Sequence, residues 1–176
     1  MQTFIPHVDS FRHIAEELDN KRLNKQILEA WQLLLVLSKL DPTGNDRNPK
    51  GWANHPAANM WRGHELVLAD YARHMHTEWI KRGYKSTMLP KIDATIDRAL
   101  QLKRINDEYA YPFWMKDPFK HIKLAASHRV ALLVKDYDWY SQFNWPEDTG
   151  SRPDYYQYLW PNADGELYLG TYNLAV

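Results

Sequence analysis

The sequence predicts an all-α fold, a compact single-domain helical bundle with a short irregular or β-hairpin tail, on three observations. Apolar residues recur at helical spacing along two long segments, Asn20 to Leu40 and Pro56 to Arg82. Helix starts and stops bracket these and two further segments: capping Asp or Ser, Pro in a first turn, Gly after a last one. Strand-like patterning is confined to the end of the chain, where Glu166-Leu167-Tyr168-Leu169 follows the turn Asp164-Gly165.

Taken in order, Asp9 or Ser10 caps a short helix to about Leu18, and Asp19 caps the next. In that second helix Leu23, Ile27, Ala30, Trp31, Leu34 and Leu37 form the apolar stripe, with Lys21, Lys25, Glu29 and Gln32 opposite. Asp41-Pro42-Thr43-Gly44 ends it. A polar loop leads to Pro56, with Asn54 or His55 at the cap of a helix expected to run unbroken to Arg82 and stop at Gly83. Its stripe is Met60, Trp61, Val67, Leu68, Tyr71, Met75 and Trp79, with His64 near the centre and Glu65 at the edge. Further helices are expected over Lys91–Asn106 and, capped by Asp117, Pro118–Lys135. Residues 109–114 read as an aromatic loop and residues 138–143 as a further turn. Residues 1–161 are read as the helical domain and 162–176 as an extension packed on it.

A chain of 176 residues buries a sizeable core without staples. It has no cysteine, so disulfide frameworks and thiolate metal sites are excluded. The first residues, MQTFIPHVDSFRH, lack the apolar core of a signal peptide, and the longest apolar run, Leu33 to Leu37, is far below a membrane span. A cytoplasmic protein is the expectation. Net charge is zero, with 22 basic and 22 acidic residues, so global charge does not argue for nucleic-acid binding. The cations are nevertheless grouped: Lys21, Arg22 and Lys25; Lys81, Arg82 and Lys85; and Lys120, Lys123, Arg129 and Lys135 on a segment free of carboxylates. Convergence of these groups would make a phosphate-binding groove; solvated helix faces are the plainer reading. Eight Trp and eleven Tyr supply rings for a core or for stacking on bases.

No phosphate-cradling glycine loop or nucleophile elbow is present. No metal and no cofactor are expected: His74 and His76 cannot share a helix face, and His121 and His128 are two turns apart. The candidate chemistry lies elsewhere. Asn54-His55-Pro56 marks a helix start, suited to capping or to binding an anion. Glu65 borders an apolar stripe, where partial desolvation suits a general acid or base, although an ion pair with Arg62 is an equally simple use. In Ser127-His128-Arg129, the imidazole could relay protons or position a neighbour, and the guanidinium could grip phosphate.

Four blocks, LDNKRLNKQILEA (Leu18 to Ala30), GWANHPAANMWRGHE (Gly51 to Glu65), ASHRVALLVKD (Ala126 to Asp136) and YLWP (Tyr158 to Pro161), resemble a group of bacterial and phage proteins classed with the pyrimidine-dimer DNA glycosylases. The resemblance implies an all-helical enzyme that binds duplex DNA and cuts the glycosidic bond of a damaged pyrimidine. It also implies attack by the N-terminal α-amine on the sugar, assistance by a carboxylate on the first long helix, and strand cleavage by elimination. Arg129 and Arg22 fall at or near phosphate-holding arginines of the family, and residues 155–158 are similar to its aromatic C-terminal loop. Two positions depart from the pattern. Gln2 leaves Met1 as the residue offering the amine, and Leu23 stands where the family carries its glutamate. Glu16, Glu17, Glu29 and Glu65 are the carboxylates available in its place. The expected catalytic set is thus Glu65, His128 and Met1. Arg22, Lys25, Gln26, Trp61, Arg62 and Arg129 are expected to contact DNA, and Asn54 and His55 to line the pocket. A nucleotide-processing enzyme using the same residues and an inactive nucleic-acid-binding accessory protein are the alternatives.

Overall fold

The computed structural model describes residues 2–162 and 164–175; Met1, expected to supply the nucleophilic amine, lies outside the described residues. Helix α1 (Phe11–Glu17) starts where Ser10 accepts the His13 N–H, and α2 (Asn20–Ser38) where the Asp19 carboxylate accepts the N–H groups of Lys21 and Arg22. Of the expected stripe, α2 buries Leu23, Ile27, Ala30, Leu34 and Leu37 while Trp31 is half-buried; Leu33 is buried too, as is Glu29, expected on the opposite side, and the helix ends at Lys39 in the left-handed conformation.

The helix expected from Pro56 to Arg82 is two helices, α3 (Pro56–Trp61) and α4 (Glu65–Lys81). Gly63 breaks the run with φ +80°, a conformation that favours glycine, and lets α4 start in a new direction. His64 therefore sits at the cap of α4 rather than within a stripe; its Nδ1 pairs with the Ala110 carbonyl at 2.7 Å. A Cβ on Gly63 would find only Asn106 Nδ2 at 3.7 Å, an ordinary contact. Gly63→Ala is therefore expected to cost about 1–2 kcal/mol through backbone strain alone, measured by urea unfolding.

Helix α5 (Met88–Gln101) begins three residues earlier than expected, because Pro90 is tolerated in a first turn, and ends five residues earlier. Helices α6 (Phe113–Lys116), α7 (Pro118–Lys135, capped by Asp117) and α8 (Tyr137–Tyr140) follow. The tail is two small antiparallel pairs rather than one hairpin. Strand β1 (Tyr155–Tyr156) pairs with β4 (Asn173–Leu174), and β2 (Leu159–Pro161) with β3 (Leu167–Leu169), placing Trp160 opposite Tyr168. The fold is thus mostly α. No helix among the described residues is long and apolar enough to cross a membrane.

One main core joins the faces of α1, α2, α4 and α7 around Trp61, Tyr71, Trp114 and Tyr140. Through it runs an element that no periodicity announces. Residues 2–5 are buried but belong to no helix or strand, so their backbone groups must be satisfied by other means. Side chains do this. Gln2 N–H donates to Glu29, Phe4 N–H to Gln26 Oε1 and Ile5 N–H to His128 Nδ1. The Phe4 carbonyl accepts from Tyr71 OH, and the carbonyl of Pro6, two residues on, from Arg129. Three helices thus contribute one or two polar side chains each to hold the first residues of the chain.

Candidate active site

A hollow of about 370 Å³ opens where this buried segment meets α2, the end of α7 and the tail. Gln2 and Phe4 form one wall, Arg22, Lys25, Gln26 and Glu29 of α2 a second, and Lys135, Tyr156 and Tyr158 a third. Positions 22, 26 and 29 are one and two helical turns apart, which stacks these side chains on one face of α2.

Glu29 is the central group. It is 8% exposed. Its Oε2 accepts the Gln2 backbone N–H at 2.9 Å, and its Oε1 lies 3.6 Å from Lys25 Nζ. Gln26 is fully buried; its Oε1 takes both the Phe4 N–H and the Tyr71 hydroxyl, while its Nε2 has no partner. Arg22 donates to Asp19, Asp136 and the Lys135 carbonyl. Lys135 Nζ reaches the Tyr156 hydroxyl at 2.9 Å and lies 4.6 Å from a ring centroid of the same residue. A buried carboxylate and four cations, Lys21, Arg22, Lys25 and Lys135, therefore line one small space, with the unpaired Gln26 amide donor buried in its wall.

Aromatic rings continue from this space along the tail to α3. Tyr156 and Tyr158 have centroids 5.1 Å apart, Tyr158 and Trp160 5.5 Å, Trp160 and His55 6.1 Å, and His55 and Trp52 5.1 Å. His55 also caps α3, its Nδ1 accepting the Ala57 N–H. Burial lowers its affinity for a proton, and the Glu29 charge pulls the other way. Trp52 is exposed at one end of this aromatic run.

Several expected roles change in the structure. Trp61 is 0% exposed and donates its indole N–H to Thr3 Oγ1, so it belongs to the core and cannot touch DNA. Arg129 gives Nε and Nη2 to both oxygens of Glu147 and Nη1 to the Pro6 carbonyl. This guanidinium is already used bidentately inside the protein and is not available to grip phosphate. His128 is fully buried, with its proton affinity depressed to a pKa of about 3 by burial and then by the charges of His121 and Arg129. A ring that stays neutral cannot relay protons near neutral pH; it positions the segment instead. Since Nδ1 accepts from Ile5, Nε2 carries the ring hydrogen. It faces the Gln2 side-chain amide, 3.1 Å from that group's nitrogen site, and the amide oxygen is the complementary partner there.

Glu65 is buried at the first position of α4, where Oε1 accepts the Gly63 N–H, and it does not line the hollow. Arg62 pairs with the Ala53 carbonyl and Asn59 rather than with Glu65, and Asn54 is exposed on the short turn before α3. The Lys81–Arg82 group is spent on holding α1 to α4, Arg82 donating to the Ala15, Glu16 and Leu18 carbonyls. The cations that do converge are those of α2 with Lys135. In the sequence Glu29 is one of four carboxylates, with Glu16, Glu17 and Glu65, available in place of the family's glutamate. Its spacing from Arg22 and Gln26 on one helix face was the available signal.

Residues 1–91 match the family profile described as pyrimidine dimer DNA glycosylase. No curated protein and no solved structure matches the chain. The profile spans the N-terminal segment, α2 with Glu29, and α3, which include most of the residues that build the hollow. With just over half of its 176 residues matched, the chain belongs to the pyrimidine dimer DNA glycosylase family.

Proposed function

We propose that the Glu29 hollow is the reaction site of a DNA glycosylase that releases a damaged pyrimidine and then cleaves the strand as a lyase. The observation that carries this reading is the 2.9 Å hydrogen bond from Gln2 N–H to the buried Glu29 carboxylate. Covalent geometry tethers the amine of Met1 within one residue, roughly 3.6 Å, of that N–H. Family membership makes DNA the partner, and Lys21, Lys25 and Lys135 around the hollow offer phosphate contacts. The aromatic run from Tyr156 to Trp52 offers faces for unstacked bases.

The chemistry is then as follows. The neutral Met1 amine attacks C1′ of the damaged nucleotide, and the C1′–N bond breaks, its electron pair leaving with the base. Glu29 takes the proton that the attacking amine sheds and returns it to O4′ as the C1′–O4′ bond breaks, which opens the sugar ring to an iminium. Removal of a C2′ proton by a base then expels the 3′-phosphate by elimination. Duplexes carrying single lesions and treated with borohydride test this: reduction of the iminium leaves a covalent protein–DNA adduct on the first residue. The adduct is expected with the native N-terminus and absent after acetylation of the α-amine. Base release that survives acetylation would sink the amine step and leave a water-based route through Glu29. No base release from any lesion would sink the enzyme reading.

A further inference from the structure

A second group of chemistry-bearing side chains lies outside the Glu29 hollow. His7, just after the buried segment, meets His13 and Glu17 of α1. Among the described residues, their ligand atoms all lie within 4.8 Å of one another. Nε2 of His7 is 2.5 Å from Glu17 Oε2, and Nε2 of His13 is 3.3 Å from Glu17 Oε1. The two imidazoles stack, with centroids 4.0 Å apart. We propose that His7, His13 and Glu17 bind a divalent first-row metal ion of the zinc class, clamping the N-terminal segment to α1.

Four features support this. First, the donors are two imidazole nitrogens and a carboxylate, a set that suits borderline divalent metals rather than magnesium or calcium. Second, one carboxylate stands behind both rings and orients that of His13. Asp9 Oδ2 is 2.6 Å from His13 Nδ1, and Asp9 Oδ1 is 3.8 Å from His7 Nδ1. The short contact places hydrogen on His13 Nδ1 and leaves its Nε2 lone pair toward Glu17, the outer-shell pattern of a metal-bound histidine; at His7 the Asp9 charge acts from 3.8 Å without a hydrogen bond, and the proton in the His7 Nε2–Glu17 hydrogen bond is the one an ion replaces. Third, the spacing is close to what an ion imposes. Donors at ~2.0–2.1 Å from a tetrahedral ion stand about 3.3 Å apart; the His13–Glu17 pair already meets this, the His7–Glu17 pair parts to reach it, and the stacked rings turn out of parallel so that both Nε2 lone pairs meet at the ion.

Fourth, there is a route and a free position. A hollow of about 350 Å³, lined by His7, Asp9, Ser10, Tyr111 and His121 among others, opens beside the cluster. His121 is buried, and its Nε2 has no hydrogen-bond partner. The hollow touches the cluster at His7 and not at His13 or Glu17, so the solvent ligand that completes a three-ligand site enters from the His7 side. Lys116 on its rim is exposed, so its charge is screened by solvent. The charges also balance, since Glu17 and Asp9 together offset a divalent ion. Binding displaces any proton shared by the imidazoles and Glu17.

The test is titration of chelator-treated full-length protein with Co²⁺, read by visible absorption, and with Zn²⁺ in competition with a chromophoric chelator. One equivalent is expected to bind with submicromolar affinity and to raise the melting temperature by several degrees. His13→Gln, a change at a half-exposed side chain, should abolish this binding. Asp9→Asn should weaken it about 10–100-fold. His74→Gln, on α4, should bind as wild type does. X-ray absorption of the zinc-loaded wild type reads the ligands without any variant and should show two imidazoles. Absence of a one-to-one complex, binding that survives His13→Gln, or a spectrum without paired imidazoles overturns the proposal.

Discussion

Glu29→Gln is expected to lower base release by about 10²–10⁴-fold while leaving DNA affinity within a few-fold of wild type. The substitution keeps the shape of the side chain, and the amide oxygen can still accept the Gln2 N–H that Glu29 accepts at 2.9 Å. What it removes is the negative charge and the capacity to take a proton. Loss of rate with retained binding therefore separates acid/base chemistry from positioning of the segment. Single-turnover cleavage of a lesion-bearing duplex reads the rate, and filter binding at fixed salt reads the affinity. The matched control is Glu65→Gln. Glu65 holds the Gly63 N–H at the start of α4 and does not line the hollow, so its loss should register in stability rather than in rate. A Glu29→Gln rate within about threefold of wild type would remove Glu29 from the chemistry. Loss of rate in Glu65→Gln without loss of stability would restore the sequence-based assignment.

The second large effect is on acid stability and comes from His128. Burial, followed by the charges of His121 and Arg129, depresses its pKa from 6.5 in the unfolded chain to about 3 in the folded one. The folded state therefore binds fewer protons than the unfolded state between these values. Stability conferred by the neutral ring is fully present above pH 6.5 and is lost as pH falls toward 3, at roughly 1 kcal/mol for each pH unit. Across the window the loss is several kcal/mol, comparable with the whole stability of a typical domain. Because Ile5 N–H and the Gln2 amide both depend on this ring, the N-terminal segment should be released with it. Urea unfolding between pH 7 and 4 measures the slope, and hydrogen exchange at Ile5 reports the segment. His121 is also buried with its proton affinity depressed, chiefly by desolvation, and adds a slope of the same sign. His128→Leu should start less stable, with Ile5 N–H left unpaired, and should show a shallower slope. An unchanged slope in that variant would mean that other groups set the acid limit.

Most of the helical layout was readable because it depends on local spacing and on capping. Ser10, Asp19 and Asp117 cap the helices they were expected to cap, and most of the α2 stripe is buried as its periodicity implies. The break at Gly63 was harder to see, since apolar spacing continues through it and only backbone φ distinguishes a tolerated helical glycine from a turn. The site was read less well. Arg129 and Trp61 were assigned outward roles from residue type and family position, yet both face inward. The decisive information, a Glu147 carboxylate and a Thr3 hydroxyl, lies 18 and 58 residues away in the chain.

By itself the sequence determined a mostly helical chain, the capped starts of α1, α2 and α7, most of the buried stripe of α2, the absence of thiol chemistry and the family resemblance. Each of these depends on residue type at short spacing. Tertiary structure alone decided which carboxylate meets the head of the chain and which cations remain around it. It also decided that His128 stays a neutral anchor. The physical reason is that residues 2–5 have no strand or helix to satisfy their backbone. They take their partners from α2, α4 and α7, so the site exists only once those helices pack around them.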